Sequence, residues 1–301
     1  MTHNIDKDYG LKPAEIVTEL TVNKVRGNTY YLDFGWLSVP YYQVNEQDVI
    51  LLDSGLLSEG EKLAKFFKSR GQRVVTIVHS HVHTDHVNGD VPLIETFDPV
   101  IYCSFTGLED AYEVYEFKKD EEPQSPAIAR DLYRALTLLM DKAINTDGIS
   151  TLEVCGHTFT FIDTPGHCID HKLIITPDEV CYLGDSVMYG ATLENAKLPY
   201  SKNLREDIKT MESLKSLTYR DYLAAHEGYF FLDSLEEVCQ ENLDIFYDLI
   251  KRARSIKNQC PNLPQSELNI LLEHAVGLNH HADVFWIIHT VEEVFKLAES
   301  L

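Results

Sequence analysis

Apolar positions along the chain fall first into strand-like runs and later into helical ones. Alternating or continuous β-type stretches occur at Ile16–Val22, Thr29–Phe34 and Asp48–Asp53. From Ser58 to Ser69 the period becomes helical, with Leu63, Phe66 and Phe67 on one side and Gly71 supplying a C-terminal stop. Arg73–His79 (Arg-Val-Val-Thr-Ile-Val-His) is the strongest candidate for a buried strand, and Val100–Cys103 is a shorter one.

Residues 105–147 break this rhythm. Tyr112, Tyr115 and Phe117 load a first helical part, Pro123 and Pro126 divide it from a second, and Ile128, Leu132, Leu136 and Leu139 recur there at helical spacing. The expectation is a helical insertion, either lying over a site or only packing on the core. Strand patterns resume at Ser150–Val154, His157–Asp163, Lys172–Thr176 and Val180–Leu183, followed by a helix over Leu204–Leu217 and a strand at Tyr222–Ala225. From Leu235 to Leu301 the pattern is helical, interrupted near Pro261–Pro264. The chain therefore reads as α/β: a mixed body over 1–232 carrying the insertion at about 105–147, then a helical extension over 233–301.

Charge narrows the partners. The net charge is −22, from 26 basic and 48 acidic residues. The densest basic stretch, Lys251, Arg252, Arg254 and Lys257, follows Glu241, Asp244 and Asp248 and reads as a solvated helix face. No nucleic-acid partner is expected, because phosphate backbones need clustered Lys and Arg. No apolar run is long enough to span a bilayer. The polar, acidic start gives no secretory signal, so a cytoplasmic protein with reduced thiols at its six cysteines is expected. A homodimer is compatible with the sequence.

The chemistry concentrates at His81-Val-His83-Thr-Asp85-His86, four ligand-type side chains directly after the buried strand. Residues two apart in extended backbone point the same way, so His81 and His83 can reach one metal. Asp85 and His86 lie where the chain turns into a helix and can face a second. Three further candidates each follow an apolar strand next to a glycine: His167 in Thr-Pro-Gly-His, Asp185 in Leu-Gly-Asp-Ser, and His226 in Ala-Ala-His-Glu-Gly. Imidazole suits zinc, iron and other borderline metals, and carboxylates supply compensating charge.

Leu-Leu-Asp-Ser-Gly at 51–55, His-Ser-His-Val-His-Thr-Asp-His-Val-Asn-Gly at 79–89, Thr-Pro-Gly-His at 164–167, Gly-Asp at 184–185 and His-Glu-Gly at 226–228 occur in one order. In that order they resemble the metallo-β-lactamase-fold superfamily of hydrolases. The resemblance implies a four-layer αββα sandwich with the site at one edge. It assigns His81, His83 and His167 to a first metal, Asp85, His86 and His226 to a second, and Asp185 to a bridge between them. Asp53 matches the family's strand-end aspartate and would orient a ligand. The chain departs from the usual Gly-Gly after the first motif, where Asn88-Gly89-Asp90 stands, and from the usual Pro-Gly before the last histidine, where Ala224-Ala225 stands.

Two divalent ions are implied, zinc first, with iron or manganese as alternatives. Two dications against Asp85 and Asp185 leave a locally cationic pocket on an anionic protein. A metal-bound hydroxide would attack the substrate, and Asp85 would also carry a proton to the leaving group. The expected activity is dinuclear metal-dependent hydrolysis of a small ester, thioester or lactone. The alternatives are a phosphodiesterase of the same fold and a mononuclear iron dioxygenase acting on a sulfur substrate; a non-catalytic regulator forms a further class. His171 and Tyr189 are weak candidates for substrate contact, with a structural role for His171 ahead of that. Cys168 could touch the site, with packing ahead of that, and the tail histidines His274, His280, His281 and His289 read as structural or exposed.

Overall fold

A computed structural model describes residues 20–118, 126–278 and 284–300. Its first sheet holds seven strands in sequence order: β1 (Thr21–Arg26), β2 (Thr29–Asp33), β3 (Ser38–Gln43), β4 (Asp48–Leu52), β5 (Arg73–Val78), β6 (Val100–Cys103) and β7 (Ile144–Asn145). Hairpins make β1 to β4 antiparallel, and crossovers make β4 to β7 parallel. The second sheet runs from β8 (Thr151–Val154) through β9 (His157–Asp163), β10 (Lys172–Ile175), β11 (Val180–Tyr182) and β12 (Asp221–Ala224) to β13 (Gly228–Phe231), with only β11 and β12 parallel.

The pleat explains why the sheets need a layer on each side. Along β10, Ile174 enters one apolar core while Leu173 and Ile175 enter another. Along β12, Leu223 joins the first core, and Tyr222 and Ala224 join the second. These strands have no wet face, so they read as continuous apolar runs rather than alternating ones. The first core lies between the sheets and extends to Leu63 and Phe67 of α1 (Leu57–Ser69), Val91 and Leu93 of α3 (Asp90–Phe97), and Leu136 and Leu139 of α5 (Pro126–Lys142). The second core packs the other sheet on α7 (Leu204–Leu214), α8 (Leu232–Gln259), α9 (Gln265–Ala275) and α10 (Val284–Ser300). The result is the expected αββα order with a C-terminal helical extension.

The remaining helices are short or border the site. α2 (Thr84–Val87) begins inside the histidine run, α4 (Phe105–Lys118) precedes α5 between β6 and β7, and α6 (Gly190–Ala196) follows Asp185. Several elements differ from the sequence reading. The first strand starts at Thr21, and residues 16–19 lie outside the described residues. β3 is hidden in the sequence because Pro40 argues against a central strand and Ser38–Tyr42 are all buried, leaving no alternation to detect. β13 is four residues long and opens on a glycine, and the helix after it starts at Leu232 rather than Leu235. Among the described residues no helix is long and apolar enough to cross a membrane.

Candidate metal centre

The first sheet delivers the histidine run. β5 ends at Val78, His81 and His83 follow in extended backbone, and α2 begins at Thr84, so Asp85 and His86 lie in its first turn. The run sits against the turn after β4 because Gly89 has no side chain: a Cβ there would stand 2.1 Å from the carbonyl oxygen of Ser54. Gly89 donates its N–H to the Gly55 carbonyl, and Ser54 donates to the His86 carbonyl. The second sheet supplies His167 after β9, Asp185 after β11 and His226 after β12.

These ends converge. Nδ1 of His83 lies 3.1 Å from Nε2 of His81 and 3.0 Å from Nε2 of His167. Burial, helped by the neighbouring histidines and opposed by Asp185, holds His81 and His167 well below the ordinary imidazole range, and burial also lowers His83. Three neutral nitrogens thus face one point, and a cation satisfies all three lone pairs at once. A second group lies alongside: His226 Nε2 is 3.4 Å from Asp85 Oδ2 and 3.6 Å from Asp185 Oδ1, and His86 Nε2 is 3.3 Å from Asp185 Oδ2. Asp185 Oδ2 also lies 3.5 Å from His167 Nε2, so this carboxylate touches both groups. His86 Nε2 and Asp185 Oδ1 are buried without a hydrogen-bond partner. Burial lowers the basicity of His86 and His226, but the carboxylates of Asp185 and Asp85 overcome it and raise both, His226 to about 10. The second group therefore draws positive charge to itself. The donor set, imidazoles and carboxylates with orphaned inward atoms, fits divalent metal ions.

Surrounding groups fix which ring nitrogen faces inward. Ser80 Oγ lies 3.0 Å from His81 Nδ1 and donates to Asp53 Oδ2, which leaves it to accept from His81 Nδ1–H and keeps Nε2 free. His86 Nδ1 donates to Asp53 Oδ2 at 2.9 Å, and His226 Nδ1 donates to the Trp36 carbonyl at 2.9 Å. Asp53 has φ +62°, a left-handed conformation that aspartate adopts at a cost. It also accepts from the Ser80 N–H at 2.8 Å and the Tyr182 hydroxyl at 2.7 Å. Burial alone would raise its pKa, but His86 and His79 hold it well below the usual carboxylate range. Such oriented ligands are typical of metal sites.

The weaker candidates divide between the centre and its surroundings. His171 is buried behind Asp185: its Nε2 accepts the Asp185 N–H at 3.0 Å, and its Nδ1 lies 2.7 Å from Thr164 Oγ1. Gly184 permits this, since a Cβ there would stand 2.6 Å from His171 Nε2, and its φ is +51°. Burial pushes His171 down to about 3, so the ring is a neutral support. Tyr189 packs on Phe230 and donates to the Gly228 carbonyl at 3.2 Å, placing it beside the His226 turn. Cys168 is buried, with its sulfur among the ligand atoms of His81 and His83. His274 ends α9 on the exposed side, His289 faces Tyr200, and His280 and His281 lie outside the described residues.

Several contributors were not foreseen from the sequence. Asp170 accepts the Val82 N–H at 2.9 Å, pinning the backbone between His81 and His83. Trp36 acts through its carbonyl, and its ring also stacks on His226 at 5.6 Å. Tyr200 packs against both His83 and His167, with ring centres 5.7 and 5.1 Å apart. A histidine at the end of an apolar strand was a signal for His79; a backbone carbonyl such as that of Trp36 leaves none.

Comparison with known proteins agrees with this fold. A model described as the metallo-beta-lactamase superfamily matches residues 34–226. No curated protein matches the chain. Among solved structures, a beta-lactamase domain protein from Burkholderia ambifaria is similar at TM-score 0.66 and 14% identity, covering 92% of this chain and 87% of its own. A metallo-beta-lactamase family protein from Thermus thermophilus gives 0.59 and 16%, covering 91% and 93%. A metallo-beta-lactamase from Cronobacter sakazakii, a motif mutant, gives 0.56 and 19%, covering 79% and 99%. At these identities the likeness shows the fold.

Proposed function

The chain belongs to the metallo-beta-lactamase superfamily and is a metal-dependent hydrolase, and from that premise we propose that it uses two divalent ions, zinc first, to hydrolyse a small ester, thioester or lactone. The observation that carries this reading is the sharing of Asp185 between two ligand groups. His81, His83 and His167 would hold one ion, and Asp85, His86 and His226 the other, with Asp185 between them. When bound, such ions supply Lewis acidity and lower the pKa of water toward ~7.

The residues of the chain do the rest. The His171 ring holds the Asp185 backbone in place, and Asp53 and Trp36 accept from the outward Nδ1 of His86 and His226, so that Nε2 is the atom each ring turns toward the ion. Burial raises the Asp85 carboxyl, but His86 and His226 outweigh that and lower it. Asp85 is therefore suited to take a proton from the attacking water and release it at the leaving atom. Among the described residues the ion pairs within the site join histidines to aspartates and include no lysine or arginine. That favours an acyl substrate over a phosphodiester, as does the net charge of −22.

The test is a hydrolysis screen of lactones, thioesters, carboxylic esters and phosphodiesters on protein of known metal content. About two ions per chain and turnover of an acyl substrate are expected, as a two-metal site requires. Less than one ion per chain would overturn the dinuclear reading. Turnover confined to phosphodiesters, or of persulfides with oxygen uptake, would move the activity to another class.

A further inference from the structure

The C-terminal helices reach the site at two points that the mechanism above does not use. On α10, the buried Thr290 hydroxyl accepts the Ser201 N–H at 2.8 Å and lies 3.2 Å from the Pro199 carbonyl oxygen. These contacts bracket Tyr200 on both sides. On α8, the buried Asn242 accepts the Met188 N–H at 3.0 Å and donates to the Met188 carbonyl at 2.6 Å, holding the segment that follows Asp185. From the other side, Asp110 of α4 forms an ion pair with Lys202. Lys202 and Asn203 each donate a backbone N–H to the Gly166 carbonyl at 2.9 Å, next to His167.

The segment carrying Tyr200 is thus gripped from α4, from α10 and from the His167 turn. Its ring is half-buried, lies against His83 and His167, and meets His289 of α10 at 6.4 Å. It borders a small cavity with His167, Asp185 and Met188. Burial pushes its hydroxyl pKa up, so the side chain presents a neutral aromatic surface beside the candidate ligands.

We propose that Tyr200 is a specificity-determining wall of the site that contacts an apolar group of the substrate, and that Thr290 is a positioning residue through which the C-terminal extension sets that wall. The inference rests on the metal-centre reading, because the wall is defined by its contact with two candidate ligands.

The test uses full-length protein loaded with cobalt, whose visible spectrum reports thiols binding at the metal. Benzyl mercaptan and 2-mercaptoethanol are titrated in parallel, and the ratio of their dissociation constants is the readout. Tyr200→Ala is expected to reduce the preference for benzyl mercaptan roughly 3-fold to 10-fold, the size of an aromatic pair contact, while Tyr200→Phe keeps it. Thr290→Val is expected to reduce it in part, and Thr290→Ser to retain it. An unchanged ratio in Tyr200→Ala with cobalt fully bound would overturn the wall. Equal ratios for Thr290→Val and Thr290→Ser would overturn the positioning role. A wild-type protein that binds no cobalt would overturn the metal reading itself, and this inference with it.

Discussion

His79 and Asp90 form a buried pair, with His79 Nε2 2.8 Å from Asp90 Oδ2 and neither side chain reaching solvent. On its other side His79 Nδ1 lies 3.3 Å from Asp53 Oδ1, and Asp53 accepts from His86. A row of alternating charges therefore leads from Asp90 to the candidate ligand His86. Breaking a buried pair from one side strands a charge, which costs about 3–5 kcal/mol. Asp90→Leu is expected to lose that much in denaturant unfolding, and His79→Leu with Asp90→Leu to recover most of it. Additive losses in the double variant would show that the two residues do not interact.

The same pair sets a pH dependence. Burial lowers the His79 pKa, but Asp90 and Asp53 outweigh it and raise the group to about 9 from 6.5. Below 6.5 both folded and unfolded chains hold the proton, and its stabilising effect is complete. Above 6.5 the unfolded chain releases it first, so stability falls as pH rises through about 9. The double leucine variant should lack this fall. A ring-proton titration of His79 with a midpoint near the ordinary histidine value would contradict the assignment.

How much of this could be read from residues alone depends on distance along the chain. His81, His83, Asp85 and His86 fall within six consecutive residues, so their spacing reveals them. His167, Asp185 and His226 follow apolar strands beside glycines, a weaker signal that becomes strong only as an ordered set. The layers were legible from β5, β10 and the helical tail because burial on both faces leaves continuous apolar runs. What was not legible acts across the fold. Tyr182 reaches Asp53 from the opposite sheet, and Tyr200 takes its place from Thr290, far along the chain on the last helix. Neither carries a local pattern, because a lone aromatic in a strand, like Tyr182, or in a loop, like Tyr200, reads as ordinary packing.

Metal removal should be visible in stability. The orphaned His86 Nε2 and Asp185 Oδ1 leave the centre incomplete without a cation. An ion present at about 100 times its dissociation constant stabilises by about 2.7 kcal/mol, or roughly 4 °C in Tm for a chain of this size. Chelator is expected to lower Tm by that amount and zinc to restore it. Asp185→Asn should lose most of the difference, since Asp185 touches both groups. A Tm indifferent to chelator, in protein shown to start with bound metal, would count against the centre.

Asp207 offers a pH effect of the opposite chemical origin. It lies in the first turn of α7, fully enclosed, at the edge of the cavity that His167 and Tyr200 also line. Burial raises its carboxyl to about 7 from 3.8, opposed by the Ser201 hydroxyl. Below 3.8 both states are protonated and there is no penalty. Between 3.8 and about 7 only the unfolded chain gives up its proton, so stability falls as pH rises across that window and is level above it. The total is roughly 4 kcal/mol if the shift is fully expressed. Asp207→Asn keeps the shape and cannot ionise, so its stability should gain on the wild type steadily from about pH 4 to about pH 7. Taking the difference between the two proteins cancels protonation of the metal-site carboxylates, which is common to both. A constant difference across that range would mean that Asp207 is ionised in the folded protein and has found a partner for its charge.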